Sequence, residues 1–273
     1  MVLGFTKMNG AGNDFVLIDN RARTVKLSRD QVLRLCDRHR GVGADGVLLL
    51  VPPVSGMAEW AWEFYNSDGS SGEMCGNGAR CFSRFVQKLT GLSQGFSFET
   101  EAGVITASFQ GERVTVSLTR PGDLRLNQQV PLSIGAQTIH SLNTGVPHAV
   151  LFVEDVEGWN VVRTGRIIRN HPHFAPSGTN VNFVRVEKGS HLIVRTYERG
   201  VEDETLACGT GVVASSLISA FKKFVTSPVS VKTQGGEVLK VHFEIEGKEV
   251  KKAHYEGDVH IIYEAEMWEE AYL

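Results

Sequence analysis

Cys75 opens the run Cys-Gly-Asn-Gly, and Cys208, 133 positions further on, opens Cys-Gly-Thr-Gly. Each run heads an apolar stretch that reads as a helix. The same offset lays Glu-Thr-Glu-Ala-Gly (99–103) on Lys-Thr-Gln-Gly-Gly (232–236), Thr100 on Thr233, Gly103 on Gly236 and Gly12 on Gly145. A period this long is a duplicated α+β unit rather than a stack of short repeats. Whatever this chain folds into must hold the same unit twice, with a cysteine at the head of a helix in each.

Local patterning fills in the unit. Phe96 and Phe98 alternate with Ser97 and Glu99, Val114, Val116 and Leu118 alternate with Arg113, Thr115 and Ser117, and Leu239, Val241, Phe243 and Ile245 repeat the pattern. Period two is the mark of half-buried strands. Phe82, Phe85, Val86 and Leu89 follow helical spacing up to a stop at Gly91. Residues 212–224 are apolar nearly all round until Lys222, so that helix must be enclosed, most simply by curved sheet. Residues 28–39 read as an amphipathic helix capped by Ser28. The predicted fold is α+β: two pseudo-symmetric lobes, each a curved, mostly antiparallel, barrel-like sheet around a central helix. The Arg120-Pro121-Gly122-Asp123 segment is the natural boundary. It predicts a first lobe over 1–120 with 262–273 and a second over 121–261.

Composition narrows the function classes. A formal net charge of −3 gives no electrostatic footprint for nucleic acid or an acidic membrane surface. No basic-then-apolar leader is visible, and no apolar run approaches the roughly 18 residues of a membrane span. A cytoplasmic protein is expected. Four cysteines in 273 residues (Cys36, Cys75, Cys81, Cys208) do not make a disulfide scaffold, and five residues between Cys75 and Cys81 exceed zinc spacing. His171 and His173 flank Pro172 in a segment a metal could use, but a loop pair of histidines is more often plain surface. No metal is expected, and the thiols are available for chemistry.

A helix N-terminus presents unpaired N–H groups and roughly half a positive charge. Flanking glycines let an anion approach the backbone, and a thiol placed there is biased toward thiolate. One such cysteine is more often an inert packed residue behind a tight turn. Two at repeat-equivalent positions favour chemistry: each start supplies a base and a carboxylate cradle. Two thiols facing one another are what is needed to take a proton from one face of a carbon and return it to the other. Cys81, six residues into its helix, reads as packing. Gly41-Val42-Gly43-Ala44-Asp45-Gly46 spells a dinucleotide fingerprint but follows a helix and precedes the strand 47–51, the reverse of the required order, so no nucleotide cofactor is expected. Asn13, Asn66, Asn180, Glu198 and Arg199 gather at strand ends beside glycines, where turn or surface roles are the ordinary reading. His148 alone reads equally well as a core histidine.

Taken together, MNGAGNDF (8–15), YNSDGS (65–70), MCGNGARC (74–81), GVPHAV (145–150), TNVNF (179–183) and YERGVEDETLACGTG (197–211) resemble the diaminopimelate epimerases, over most of the chain from Lys7 to Gly236. The resemblance implies two pseudo-symmetric lobes, an interlobe active site, no pyridoxal phosphate, and a small diamino dicarboxylic acid as substrate in lysine and cell-wall precursor biosynthesis. It implies Cys75 and Cys208 as the two bases. Gly76, Asn77, Gly209 and Thr210 would cradle the reacting carboxylate through backbone N–H groups. Asn13, Asn66, Asn180, Glu198 and Arg199 would bind the remaining polar groups, with His148 and Glu198 orienting or tuning the thiols. Gly46, Val146 and Ala149 depart from common family residues (Gln, Asn and Cys) and bear on substrate recognition, not on the thiols. Two alternatives stand beside this: a proline racemase or hydroxyproline epimerase of the same fold, which typically carries His after the first Cys-Gly, and a non-catalytic two-lobed amino-acid binding protein. The residues do not fix an oligomeric state, and a homodimer is compatible with them.

Overall fold

Both halves of the chain run the same course in the computed structural model, which describes residues 2–272. The first half is β1 (Val2–Gly10), β2 (Asn13–Asp19), α1 (Arg29–Cys36), β3 (Gly46–Val51), β4 (Trp60–Asn66), α2 (Gly76–Thr90), β5 (Phe96–Thr100), β6 (Gly103–Gln110) and β7 (Arg113–Ser117). The second is β8 (Gly122–Leu132), β9 (Gly135–Asn143), β10 (Pro147–Phe152), α3 (Val161–Arg169), β11 (Asn180–Glu187), β12 (His191–Glu198), a short β13 (Asp203–Thr205), α4 (Gly209–Phe221), β14 (Val229–Thr233), β15 (Val238–Glu246) and β16 (Glu249–Asp258). A last strand, β17 (His260–Trp268), follows.

The strand pairings repeat with the elements. β1/β2, β3/β4, β5/β6 and β6/β7 are antiparallel, while β2/β3 and β4/β5 are parallel. In the second half β9/β10, β11/β12, β14/β15 and β15/β16 are antiparallel, and β10/β11 and β12/β14 parallel. An outer antiparallel strand completes each series: β17 on β1, and β8 on β9. The chain divides into two compact units, Met1–Val116 with Gly257–Leu273, and Ser117–Glu256. Each unit is thus mostly antiparallel.

Within each unit, the central strands β2 and β3, or β10 and β11, are buried at consecutive positions and so are covered on both faces. In the first, Val16, Ile18, Val47 and Leu49 join Val32 and Leu35 of α1 in one core. Alternate positions turn the other way, and Phe15 meets the start of α2, which packs on β1, β2 and β3. In the second, Ala149, Leu151, Val181 and Phe183 join Val161 and Ile168 of α3. Their alternates, including His148, Asn180 and Asn182, belong to the opposite face, which α4 covers. That helix packs on β9, β10, β11, β12, β14 and β15. Six surrounding strands explain how a helix without a polar face is accommodated. Val212, Val213, Leu217 and Ile218 are all buried in it, each stabilising by about 1.5–3 kcal/mol.

Ser28 caps α1 in a reciprocal capping box with Gln31, and Gly91 ends α2 in the left-handed conformation (φ 72°). The helix α3 has no expectation behind it from periodicity. Gly165 lies at its centre because a β-carbon there would stand 2.4 Å from Cβ of Tyr197.

Candidate active site

Each unit carries one candidate half-site, built where a central helix begins. In the first, Cys75 is the N-cap of α2, in extended conformation (φ −141°, ψ 118°), and its Sγ accepts the N–H of Gly78 at 3.4 Å. A sulfur taking a helix N–H is held where thiolate character is favoured. Asn77, buried, donates from Nδ2 to Oδ1 of Asn13 (2.8 Å), and Asn13 donates to Oδ2 of Asp45 (2.8 Å). Behind Asn77, the buried guanidinium of Arg80 donates to Asn77 Oδ1 (2.9 Å) and to the carbonyl of Asp258 (2.9 Å). Gly10 belongs here because a β-carbon would press on Cys81 Sγ (3.1 Å) and the Asn77 carbonyl (3.2 Å).

A charged cluster braces this half-site from one side. Asp14 pairs with Lys7 (2.8 Å) and Arg38 (2.7 Å), and Arg38 also reaches Asp45 (2.8 Å). Burial works against ionisation of Asp14, but Arg38 and Lys7 outweigh it and hold its carboxyl well below the usual range. Asn66 lies across the sheet in register with Gly46. Its amide donates to Ser70 Oγ (3.1 Å) within its own turn, while the next residue, Ser67, donates to the Asp45 carbonyl (3.1 Å). Cys75, Gly76, Asn77 and Asn13 are therefore assembled at the helix start, with Asn66 at the edge of the same cluster.

The second half-site differs in chemistry. Cys208 is the N-cap of α4 but takes no cap bond from the helix N–H groups; Thr210 Oγ1 stands 3.6 Å from its Sγ. His148 Nε2 lies 2.9 Å from that same hydroxyl, and the Thr210 carbonyl accepts from Thr144 (3.1 Å). Burial, then the charge of Arg199, pushes His148 down to about 3, so the ring is neutral at physiological pH. Asn180, buried and opposite His148 in the parallel pair β10/β11, ties two backbones together: Nδ2 donates to the Pro147 carbonyl (3.2 Å), and Oδ1 accepts the Arg199 N–H (2.9 Å). Arg199 also donates from its guanidinium to the Ser177 carbonyl (3.1 Å), and Glu198 accepts from Thr205 Oγ1 (2.8 Å). His148 meets Cys208 through Thr210, not directly.

The two remaining cysteines are set apart by environment. Burial pushes Cys36 and Cys81 each up to about 12, so both stay protonated thiols that pack. His171 and His173 stand in a turn where His171 Nδ1 accepts the His173 N–H (3.2 Å). No cluster of three His, Cys, Asp or Glu suited to a metal occurs among the described residues. No helix among them is long and apolar enough to cross a membrane.

Residues 5–122 and 140–262 match the family model for diaminopimelate epimerase. The chain belongs to the diaminopimelate epimerase family. It is 43% identical to a diaminopimelate epimerase of Aquifex aeolicus, covering 97% of this chain and 98% of that one. It is 37% identical to one of Methanocella arvoryzae, covering 96% of each. Among solved structures it superimposes on a hydroxyproline epimerase from Agrobacterium vitis (TM-score 0.75, 16% identity, 97% of this chain and 92% of that one). A PhzF-family phenazine biosynthesis protein of Bacillus anthracis superimposes as well (TM-score 0.72, 13% identity, 98% and 99%). At such low identity these two share the fold.

Placing the diaminopimelate epimerase motifs on the structure brings in residues that motif reading passes over. Asn182, Thr196, Asp45 and Arg80 all engage the half-sites. Asn182 was recoverable: in Thr-Asn-Val-Asn-Phe, strand alternation puts it on the same face as Asn180. Arg80 follows Cys75 by five positions but gives no sign in the sequence that its charge is buried.

Proposed function

We propose that this member of the diaminopimelate epimerase family interconverts LL- and meso-2,6-diaminopimelate by two-base proton transfer, with no organic cofactor. The observation that carries the reading is the duplicated helix start. Cys75 and Cys208 each sit at the N-cap of a repeat-equivalent helix, with glycine as the first helical residue. One cysteine, as thiolate, takes the α-proton of the substrate. The carbanion left behind draws its charge into the carboxylate, and the other cysteine, as thiol, gives its proton to the opposite face. The pair ends with its protonation states exchanged and the centre inverted.

An unactivated α-proton is a very weak acid, so the carboxylate must be stabilised as charge develops. Backbone N–H groups of Gly76, Asn77, Gly209 and Thr210 are the donors in this reading, strengthened by the helix dipoles behind them. The reading requires both helix starts to serve one substrate. Asn13, Asn66, Asn180 and Glu198 complete the polar surround, and Arg199 offers a guanidinium for the distal carboxylate. The Asn77 network speaks against a proline racemase, for which His after the first Cys-Gly is the expected residue. The setting is cytoplasmic, in lysine and cell-wall precursor biosynthesis.

The test is incubation with LL-diaminopimelate in deuterium oxide, with lysine and proline as comparators. Deuterium should enter the α-position as meso isomer appears, and both comparators should exchange far more slowly, because a site built to bind a distal carboxylate rejects substrates lacking it. Equal exchange of proline overturns the substrate assignment, and no exchange of any amino acid overturns the epimerase reading.

A further inference from the structure

The second half-site contains a chain of hydrogen bonds whose direction is set by one backbone carbonyl. Asn182 is fully buried on the α4 face of β11. Its Nδ2 lies 3.0 Å from the Ala149 carbonyl, which can only accept, so the nitrogen must be on that side. Its Oδ1 accepts the hydroxyl of Thr196 (2.9 Å), which agrees. The same Nδ2 lies 3.2 Å from His148 Nδ1. An amide nitrogen donates and cannot accept, so Nδ1 must be bare, and a neutral ring then carries its proton on Nε2. Nε2 donates to Thr210 Oγ1 (2.9 Å), leaving the hydroxyl proton free to point along the 3.6 Å line to Cys208 Sγ.

The register-equivalent positions of the first half-site carry no imidazole and no side-chain amide. By strand register, Phe15, Gly46 and Leu48 stand where the second unit has His148, Asn180 and Asn182. Cys75 is served by the Gly78 N–H, whereas Cys208 has the hydroxyl instead. Gly211 gives Asn182 its room: a β-carbon there would lie 2.3 Å from Asn182 Oδ1.

We propose that Asn182 is a positioning residue that locks His148 as the Nε2–H tautomer, so that Thr210 donates its hydroxyl proton to the Cys208 sulfur and favours its thiolate. This rests on the reading of Cys208 as a catalytic base. It also assigns His148 a role distinct from proton acceptor, since its only bare nitrogen is occupied by Asn182. A protonated ring would set two donors against each other at Nδ1, so the same contact disfavours imidazolium.

Three measurements on the full chain test it, none requiring turnover. In nitrogen-15 NMR of the imidazoles, with His148→Gln giving the assignment, His148 should show Nε2 protonated and Nδ1 bare at neutral pH. An Nδ1–H tautomer or an imidazolium overturns the proposal. Asn182→Asp reverses the chain, because a carboxylate takes the ring proton at Nδ1 and turns Nε2 into an acceptor for Thr210. Alkylation of Cys208 by iodoacetamide at neutral pH, followed by peptide mass spectrometry, should then slow about threefold to tenfold, as for a thiolate that loses one charge-assisted bond. Cys75 in the same digest is the control and should not change. Thr210→Val should slow Cys208 equally, and the double variant should be no slower than Thr210→Val alone. Multiplying effects, or equal slowing of Cys75, overturn the proposal. Absence of epimerisation by the unaltered protein would strike the functional reading instead, leaving the tautomer and alkylation results to judge this one.

Discussion

Replacing Gly211 by alanine puts the packing behind Cys208 to a quantitative test. Gly211 is the third residue of α4, and in an ordinary helix alanine in place of glycine gains about 1 kcal/mol from backbone entropy. Here the new methyl would stand 2.3 Å from Asn182 Oδ1 and 3.3 Å from Cys208 Sγ. Asn182 cannot simply turn away, because it is held by Thr196, His148 and the Ala149 carbonyl. Overpacking at a buried site costs about 1–3 kcal/mol, and losing the Thr196 bond adds about 1 kcal/mol. After the propensity gain, a net destabilisation of about 2 kcal/mol remains. Urea unfolding, read as the midpoint at unchanged slope, measures it. Asn182→Ala removes the obstacle, so Gly211→Ala should be close to neutral in that background, a coupling visible in a double-mutant cycle. A Gly211→Ala protein as stable as the unaltered chain, or equal costs in both backgrounds, would refute the argument that Asn182 fixes the space at the helix start.

Three further outcomes are expected. Cys75→Ser and Cys208→Ser should each lower epimerisation of diaminopimelate by several powers of ten, since serine is a far weaker base at neutral pH; near-normal epimerisation in either removes the two-base scheme. Cys36 and Cys81, pushed up to about 12 by burial, should resist a thiol reagent in the native protein at neutral pH and react only after unfolding; rapid native labelling of either contradicts their packed assignment. His148 and His140 are pushed down by burial to about 3 and about 4. Between those values and the ordinary 6.5 the unfolded chain binds more protons than the folded one, so their contribution is fully present above about pH 6.5 and is lost as pH falls toward about 4 for His140 and about 3 for His148. Urea unfolding at several pH values should show that loss, and His148→Gln should flatten part of it; an unchanged slope in the variant counts against a neutral buried ring.

The repeat at offset 133 determined much by itself. It announced two copies of one unit, put a cysteine at the head of each central helix, and set Cys75 and Cys208 apart from Cys36 and Cys81. Capping and stop signals at Ser28 and Gly91 were equally legible, because they depend on neighbours within one turn. The helix α3 was not, because Gly165 reads as a breaker until Tyr197 is seen to fill the space above it. Nor could the sequence say how the two starts differ. A duplicated motif implies duplicated chemistry, yet Cys75 takes a helix N–H and Cys208 faces a hydroxyl oriented from His148 and Asn182. Those partners lie on β10 and β11, brought under α4 by a parallel pairing between segments some thirty residues apart. The physical reason is range. Turns, caps and alternation act within a few residues and can be read in order, whereas the direction of a buried hydrogen-bond chain is set by whichever backbone carbonyl the tertiary fold presents to it, here that of Ala149.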